Sequence, residues 1–182
     1  GLGAKVNILD INPDRLRYLN DIMPPNVFTL YSNSHNILEL LPQTDLLIGA
    51  VLIVGAKAPN LVTRDMLKYM DNKSVIVDVA VDQGGCVETC KPTTHENPTY
   101  EVEGITHYCV ANMPGAVPYT STLALSNSTF KYVYKLANSQ LRENLSNIYE
   151  LKSGVNIYKG NVTHRAVADS FNLKYSAIDS IL

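Results

Sequence analysis

The chain has 182 residues, 46% of them hydrophobic and 18% charged, with a formal net charge of -2. That length is enough to bury a sizeable core in an ordinary globular protein, while scattered lysines and arginines exclude the electrostatic footprint of a nucleic-acid or membrane-surface binder. No apolar run approaches the roughly 18 residues of a membrane-spanning helix, and no secretory leader pattern opens the chain.

In chain order, Lys5–Leu9 (KVNIL) is a short apolar, β-branched run that reads as a strand ending in the turn Asp-Ile-Asn-Pro. Asp14–Ile22 has helical spacing, with Pro13 suited to a helix start. Val27–Tyr31 predicts a second strand, Asn36–Leu41 a short helix and Asp45–Val51 a third, wholly apolar strand. Thr63–Met70 opens on a good N-cap and reads as helix. Ser74–Val81 (SVIVDVAV) is the strongest strand pattern, apolar on both faces, and His107–Ala111 is a fifth candidate. Strands that alternate with helices and lack in/out polar alternation argue for a parallel sheet covered on both sides. After Pro118 the pattern turns helical from Thr120 to about Leu145, with Leu123, Leu125, Phe130, Val133 and Leu136 as an expected buried stripe. A further short apolar stretch and a last helix, Thr163–Asp169, follow. The expected class is α/β: an incomplete Rossmann-like doubly wound parallel sheet over residues 1–118, then a mostly helical segment over 119–182.

The opening Gly1-Leu2-Gly3 resembles a phosphate-binding glycine turn, but no helix lies between it and Asp10. In a dinucleotide fingerprint the glycines separate a strand from a helix, and the acidic residue follows about 20 residues on. A glycine just before a strand fits the exit of a helix instead. Asp10 closes the first strand, where a carboxylate accepts hydrogen bonds from an adenosine ribose diol and disfavours a 2′-phosphate; it equally suits capping of the Asn-Pro turn. On the ribose reading, the first strand and glycine loop lie upstream of residue 1, an expectation matched by a chain that does not begin with Met.

Other chemistry-bearing residues fall at strand ends, where open α/β sheets bind ligands. Gly49-Ala50-Val51-Leu52, Val79 to Gly85 and Asn112-Met113-Pro114-Gly115 close the third, fourth and fifth strands. Asp82 is placed for the reacting end of a cofactor, or is a turn former before Gly84-Gly85; Met113 equally fills a core. His95 and His107 read as structural, and His164 as a surface residue. Cys86, Cys90 and Cys109 match no CxxC or zinc pattern and read as reduced thiols of a cytoplasmic protein, with no metal expected.

Long near-contiguous motifs add a resemblance. Ile8-Leu9-Asp10, Ile48-Gly49-Ala50-Val51-Leu52, Gly55-Ala56-Lys57-Ala58-Pro59, Val75–Gly85 (VIVDVAVDQGG), Pro92-Thr93-Thr94-His95 and His107–Pro118 (HYCVANMPGAVP) resemble the alanine dehydrogenase/transhydrogenase family, more closely its alanine dehydrogenase branch. The resemblance runs through Val162-Thr163-His164. It implies NAD-dependent, reversible oxidative deamination of L-alanine to pyruvate and ammonia. Residues 1–118 would form most of the NAD-binding domain, and 119–182 the returning C-terminal part of the substrate domain. It further implies Asp10 at the adenosine ribose, Arg15 beside the adenosine, Ser32 near the adenine, and Val51 and Leu52 lining the cleft. Asp82 would act at the nicotinamide and reacting centre as general acid/base, with Val79 and Met113 alongside. Cys90 stands where the family often has Ser. The family's substrate-binding Arg and Lys and its catalytic His lie before residue 1, so the chain alone is expected to be inactive. A cytoplasmic homo-oligomer, hexameric by analogy, is implied, without nucleic acid or membrane. The alternatives are the hydride-donor domain of a proton-translocating transhydrogenase, and an inactive fragment.

Overall fold

A computed structural model describes residues 2–53, 58–138 and 140–182; Gly1 of the opening triplet and Gly55-Ala56-Lys57 of the quoted motif lie outside the described residues. The α-carbon contacts divide the chain into two units. The first comprises Gly1–Ala50, Pro59–Val81 and Gly85–Val110, and the second Val51–Ala58, Asp82–Gly84 and Ala111–Leu182.

The first unit opens with β1 (Val6–Asp10), α1 (Pro13–Ile22) and β2 (Val27–Tyr31). The two strands pair in parallel, Val6 opposite Val27 and Asp10 opposite Tyr31. Local chemistry sets the crossover helix: Asn12 caps it by accepting from the Asp14 and Arg15 amides, and Pro13 occupies the first turn, where its missing N–H costs nothing. Gly3 has φ 88°, the left-handed conformation glycine adopts at a helix exit, and the chain passes from it directly into β1. The sequence between Asp10 and Gly3 therefore has no strand–loop–helix phosphate cradle.

A short helix, α2 (Ser34–Leu40), leads to β3 (Leu46–Gly49), and β4 (Val75–Asp78), β5 (Thr99–Val102) and β6 (Ile105–Tyr108) follow. These strands form one sheet in the order β3-β4-β6-β5, with β5 alone antiparallel to its neighbour. The core of this unit is built on Leu41, Leu67, Ile76, Val87, Ile105 and Val110, all nearly or fully buried. Ile76 and Asp78 share one face of β4 and are buried.

Several expectations shift. The segment expected as helix over Thr63–Met70 is a 3₁₀ turn, Arg64–Tyr69, because so short a run ahead of extended Met70 tightens to i→i+3 bonds. β4 stops at Asp78 rather than Val81, since the Asp78 side chain captures the Ala80 amide and turns the chain. The fifth strand lies at Ile105–Tyr108, not His107–Ala111. β5 was not among the expected elements; it pairs with β6 in a hairpin that turns on Glu103 and Gly104, both with positive φ.

In the second unit, α3 (Pro118–Asn138) and α4 (Leu141–Asn147) are separate helices rather than one run from Thr120 to Leu145. α5 (Tyr149–Ser153), the hairpin β7 (Ile157–Tyr158) and β8 (Asn161–Val162), and α6 (Arg165–Ser170) follow. The expected buried stripe is a correction: Leu123, Leu125, Phe130, Val133 and Leu136 are 43–66% exposed. The helical period was real, but within this unit α3 packs chiefly against the short α4 and the turn at Met113–Ala116, which cannot cover a 21-residue helix. α6 begins at Arg165 rather than Thr163, because the buried Thr163 hydroxyl donates to the Val155 carbonyl and His164 stays extended. His164 is half-buried rather than a surface residue, its Nδ1 enclosed and without a hydrogen-bond partner among the described residues.

Candidate nucleotide and acid/base site

Of the residues singled out in the sequence, Asp10, Ser32 and Val79 lie at or just beyond strand C-termini, where identifiable contacts hold them. Asp10 ends β1, half-buried, and its Oδ1 accepts from the Asn12 amide at 2.8 Å. The turn-capping reading of Asp10 is therefore real. A carboxylate has two oxygens and about four acceptor sites, so capping the turn does not use up its capacity for a diol. Ser32 follows β2, and its amide donates to the Asp10 carbonyl at 2.9 Å, which sets the two residues side by side at one end of the parallel pair. Arg15 is exposed on the first turn of α1, its guanidinium 5.1 Å from the Tyr18 ring centroid.

Val79 follows β4, on the other sheet of the same unit; it is exposed, and its amide donates to the Gly49 carbonyl at 2.8 Å. Val51, Leu52, Asp82 and Met113 belong to the second unit. Val51 and Met113 are half-buried and Leu52 exposed. Met113 opens the 3₁₀ turn Met113–Ala116, after Asn112 at φ 58°. Asp82 is exposed in the first turn of the 3₁₀ segment Val81–Gln83. Gly84 and Gly85 after it have φ 99° and 63°, a reversal open to glycine and strained for other residues. The neck of this loop closes through the Gly85 amide on the Ala80 carbonyl, 3.1 Å.

One carboxylate escaped the sequence reading. Asp78, fully buried, accepts from the Ala80 amide on Oδ1 (3.0 Å) and the Cys86 amide on Oδ2 (2.9 Å). Its signal was present: an aspartate inside an otherwise apolar strand must be satisfied by hydrogen bonds if buried.

A second polar group is built on β5 and β6. His107, fully buried, donates from Nδ1 to the Ile105 carbonyl (3.0 Å), accepts at Nε2 from the Thr89 hydroxyl (2.8 Å), and stacks on Tyr100 at 5.1 Å. The Ile105 carbonyl can only accept, which fixes the ring proton on Nδ1. Burial lowers the His107 pKa, with Arg64 adding to the effect. The Tyr100 hydroxyl accepts from the Lys91 amide (2.8 Å) and donates to the Thr89 carbonyl (3.0 Å), with Cys109 Sγ at 3.7 Å. The neighbouring Cys90, with Tyr100 and the Asp78 backbone, lowers the Cys109 pKa to about 7, while Cys109 and burial raise that of Cys90. None of the three cysteines is in a disulfide. Among the described residues no group of three or more His, Cys, Asp or Glu is arranged for a metal, and no helix is long and apolar enough to cross a membrane.

Comparison with known proteins gives this geometry a family. Residues 1–165 match the profile described as "Alanine dehydrogenase/PNT, C-terminal domain". "Alanine dehydrogenase 2" of Staphylococcus aureus strain USA300 and of strain NCTC 8325 / PS 47 are each 54% identical over 183 aligned residues, covering all of this chain and 49% of their own length. The chain thus spans about half the length of the curated relatives it matches. A solved "L-alanine dehydrogenase" superposes with a TM-score of 0.80 at 53% identity, over 94% of this chain and 47% of that one. A transhydrogenase from Sinorhizobium meliloti superposes at 0.67 with 24% identity, over 90% of this chain and 43% of that one, a likeness of fold alone.

Proposed function

The chain belongs to the alanine dehydrogenase/PNT family, and from that premise we propose that it forms the cofactor side and the returning segment of an NAD-dependent L-alanine dehydrogenase. The observation that carries this reading is 54% identity sustained over the whole chain. Identity of 24% to the transhydrogenase makes the hydride-donor alternative the weaker reading. Residues 1–118 would be most of the NAD-binding domain and 119–182 part of the substrate domain. A cytoplasmic homo-oligomer, hexameric by family analogy, belongs to the same proposal.

The donor set fits a dinucleotide. A half-buried carboxylate at a parallel strand's C-terminal end, with the Ser32 amide on the same residue's carbonyl, suits an adenosine ribose diol, and its charge opposes a 2′-phosphate. Arg15 would lie beside the adenosine, Val51 and Leu52 would line the cofactor cleft, and Val79 and Met113 would lie alongside the nicotinamide. Bound nicotinamide supplies the hydride acceptor. Asp82 would act on the substrate nitrogen: its carboxylate takes a proton from the alanine ammonium, leaving the lone pair that stabilises the imine. After releasing that proton to solvent, it would take one from the water that attacks the imine and return it to the nitrogen as the C–N bond breaks. Ammonia and pyruvate leave, and the reverse direction uses the same group as acid.

Steady-state kinetics on the natural protein test the substrate and cofactor together. L-alanine with NAD should yield NADH, and exchange of NAD for NADP should lower kcat/KM at least about tenfold, roughly 1.4 kcal/mol. Reduction of NAD that does not depend on alanine would contradict the reading.

A further inference from the structure

Resting on the assignment of Asp82, the geometry points to Asp78 as a positioning residue that fixes the loop carrying that acid/base group. A buried carboxylate is costly unless its oxygens are satisfied. Asp78 is satisfied in a particular way: Oδ1 binds the amide of Ala80, two residues before Asp82, and Oδ2 binds the amide of Cys86, four residues after it. One carboxylate therefore spans the neck of the loop, alongside the Gly85–Ala80 backbone bond.

The surroundings are shaped for that carboxylate. Gly49 pairs with Asp78 across the parallel register. A Cβ at Gly49 would stand 3.1 Å from the Asp78 Cγ and 2.8 Å from the Cys86 Sγ. A Cβ at Gly85 would stand 2.5 Å from Oδ2. Two glycines thus leave the space the carboxyl group fills. Two N–H donors need two acceptors, which a carboxylate has and an amide lacks: asparagine turns an NH₂ toward one of the donors. With Gly84 and Gly85 giving little stiffness of their own, release of one anchor frees the loop. Catalytic groups must be held within about 0.5 Å, so the loss falls on turnover rather than on binding.

The test uses Asp78→Asn and Gly85→Ala in the natural protein, with kcat, KM for alanine, NADH affinity and the isotope effect of 2-deuterated alanine measured on folded enzyme. Both variants should lower kcat about tenfold or more, leave KM and NADH affinity within about twofold, and raise the isotope effect as the reacting step becomes limiting. Loss of folded protein alone lowers apparent kcat without moving the isotope effect, so that readout separates positioning from stability. A folded variant with wild-type kcat and isotope effect overturns the inference while the parent reading stands. Failure of both variants to fold assigns Asp78 to stability alone and also overturns it. A wild-type protein that does not oxidise alanine removes the parent reading and this inference together.

Discussion

At the residue scale, the two carboxylates that end β1 and β4 solve opposite problems. Asp10 keeps access to solvent while its Oδ1 shapes the Asn12 turn. Substitution by Asn retains an Oδ1 acceptor for that amide and removes only the charge. Asp10→Asn should therefore weaken NADH binding several-fold and narrow the preference for NAD over NADP, with the melting temperature unchanged; fluorescence titration reads the first and calorimetry the last. His107 gives a prediction with a definite sign. Its folded pKa lies below its ordinary 6.5, because burial disfavours the imidazolium. The unfolded chain takes up the proton first, so this contribution is full above about pH 6.5 and is lost as pH falls toward the folded value. Urea unfolding should show stability falling below that pH, and His107→Gln should flatten the dependence at the cost of some stability. The strand-end position of Asp10 and the turn position of Asp82 were legible because strand ends and turn residues announce themselves in sequence. Asp78 was not, because its role depends on amides at positions 80 and 86 and on glycines from two segments meeting it in space.

At the scale of elements, legibility followed how local the determinants are. The β1-α1-β2 unit carries its own signals, an apolar run, an Asn cap and a Pro at the first turn, and the structure follows them within a residue or so. Edge strand β5 is only four residues long and is completed by its antiparallel ladder with β6. The α3 stripe shows the converse, a helical period that marks a face without saying what covers it. Exposure decides the energetics there. Phe130, 65% exposed, should cost the 182-residue chain less than about 1 kcal/mol on substitution by Ser. Ile76, at 0%, should cost roughly 2–5 kcal/mol on truncation to Ala. Denaturant midpoints at constant slope compare the two directly, and equal costs would contradict the burial pattern.

At the scale of the whole molecule, the chain leaves and re-enters each compact unit more than once, at 51–58, 82–84 and 111. Val51, Leu52, Asp82 and Met113 sit on those returning segments, whereas Asp10, Arg15, Ser32 and Val79 sit in the first unit. Fold class was readable because alternating apolar strands and helices constrain it strongly; the division into units was not, because it depends on contacts far apart in sequence. In the proposed chemistry Asp82 would perform acid/base work on alanine while the strand-end residues would hold NAD. That chemistry is tested most directly by the rate of L-alanine-dependent NADH formation in the natural protein and in its Asp82→Asn variant. The account predicts turnover by the wild type, a loss of about 10²–10⁴-fold in the variant, and NADH affinity kept within about twofold. Turnover retained by Asp82→Asn, or a wild type indifferent to alanine, would contradict it.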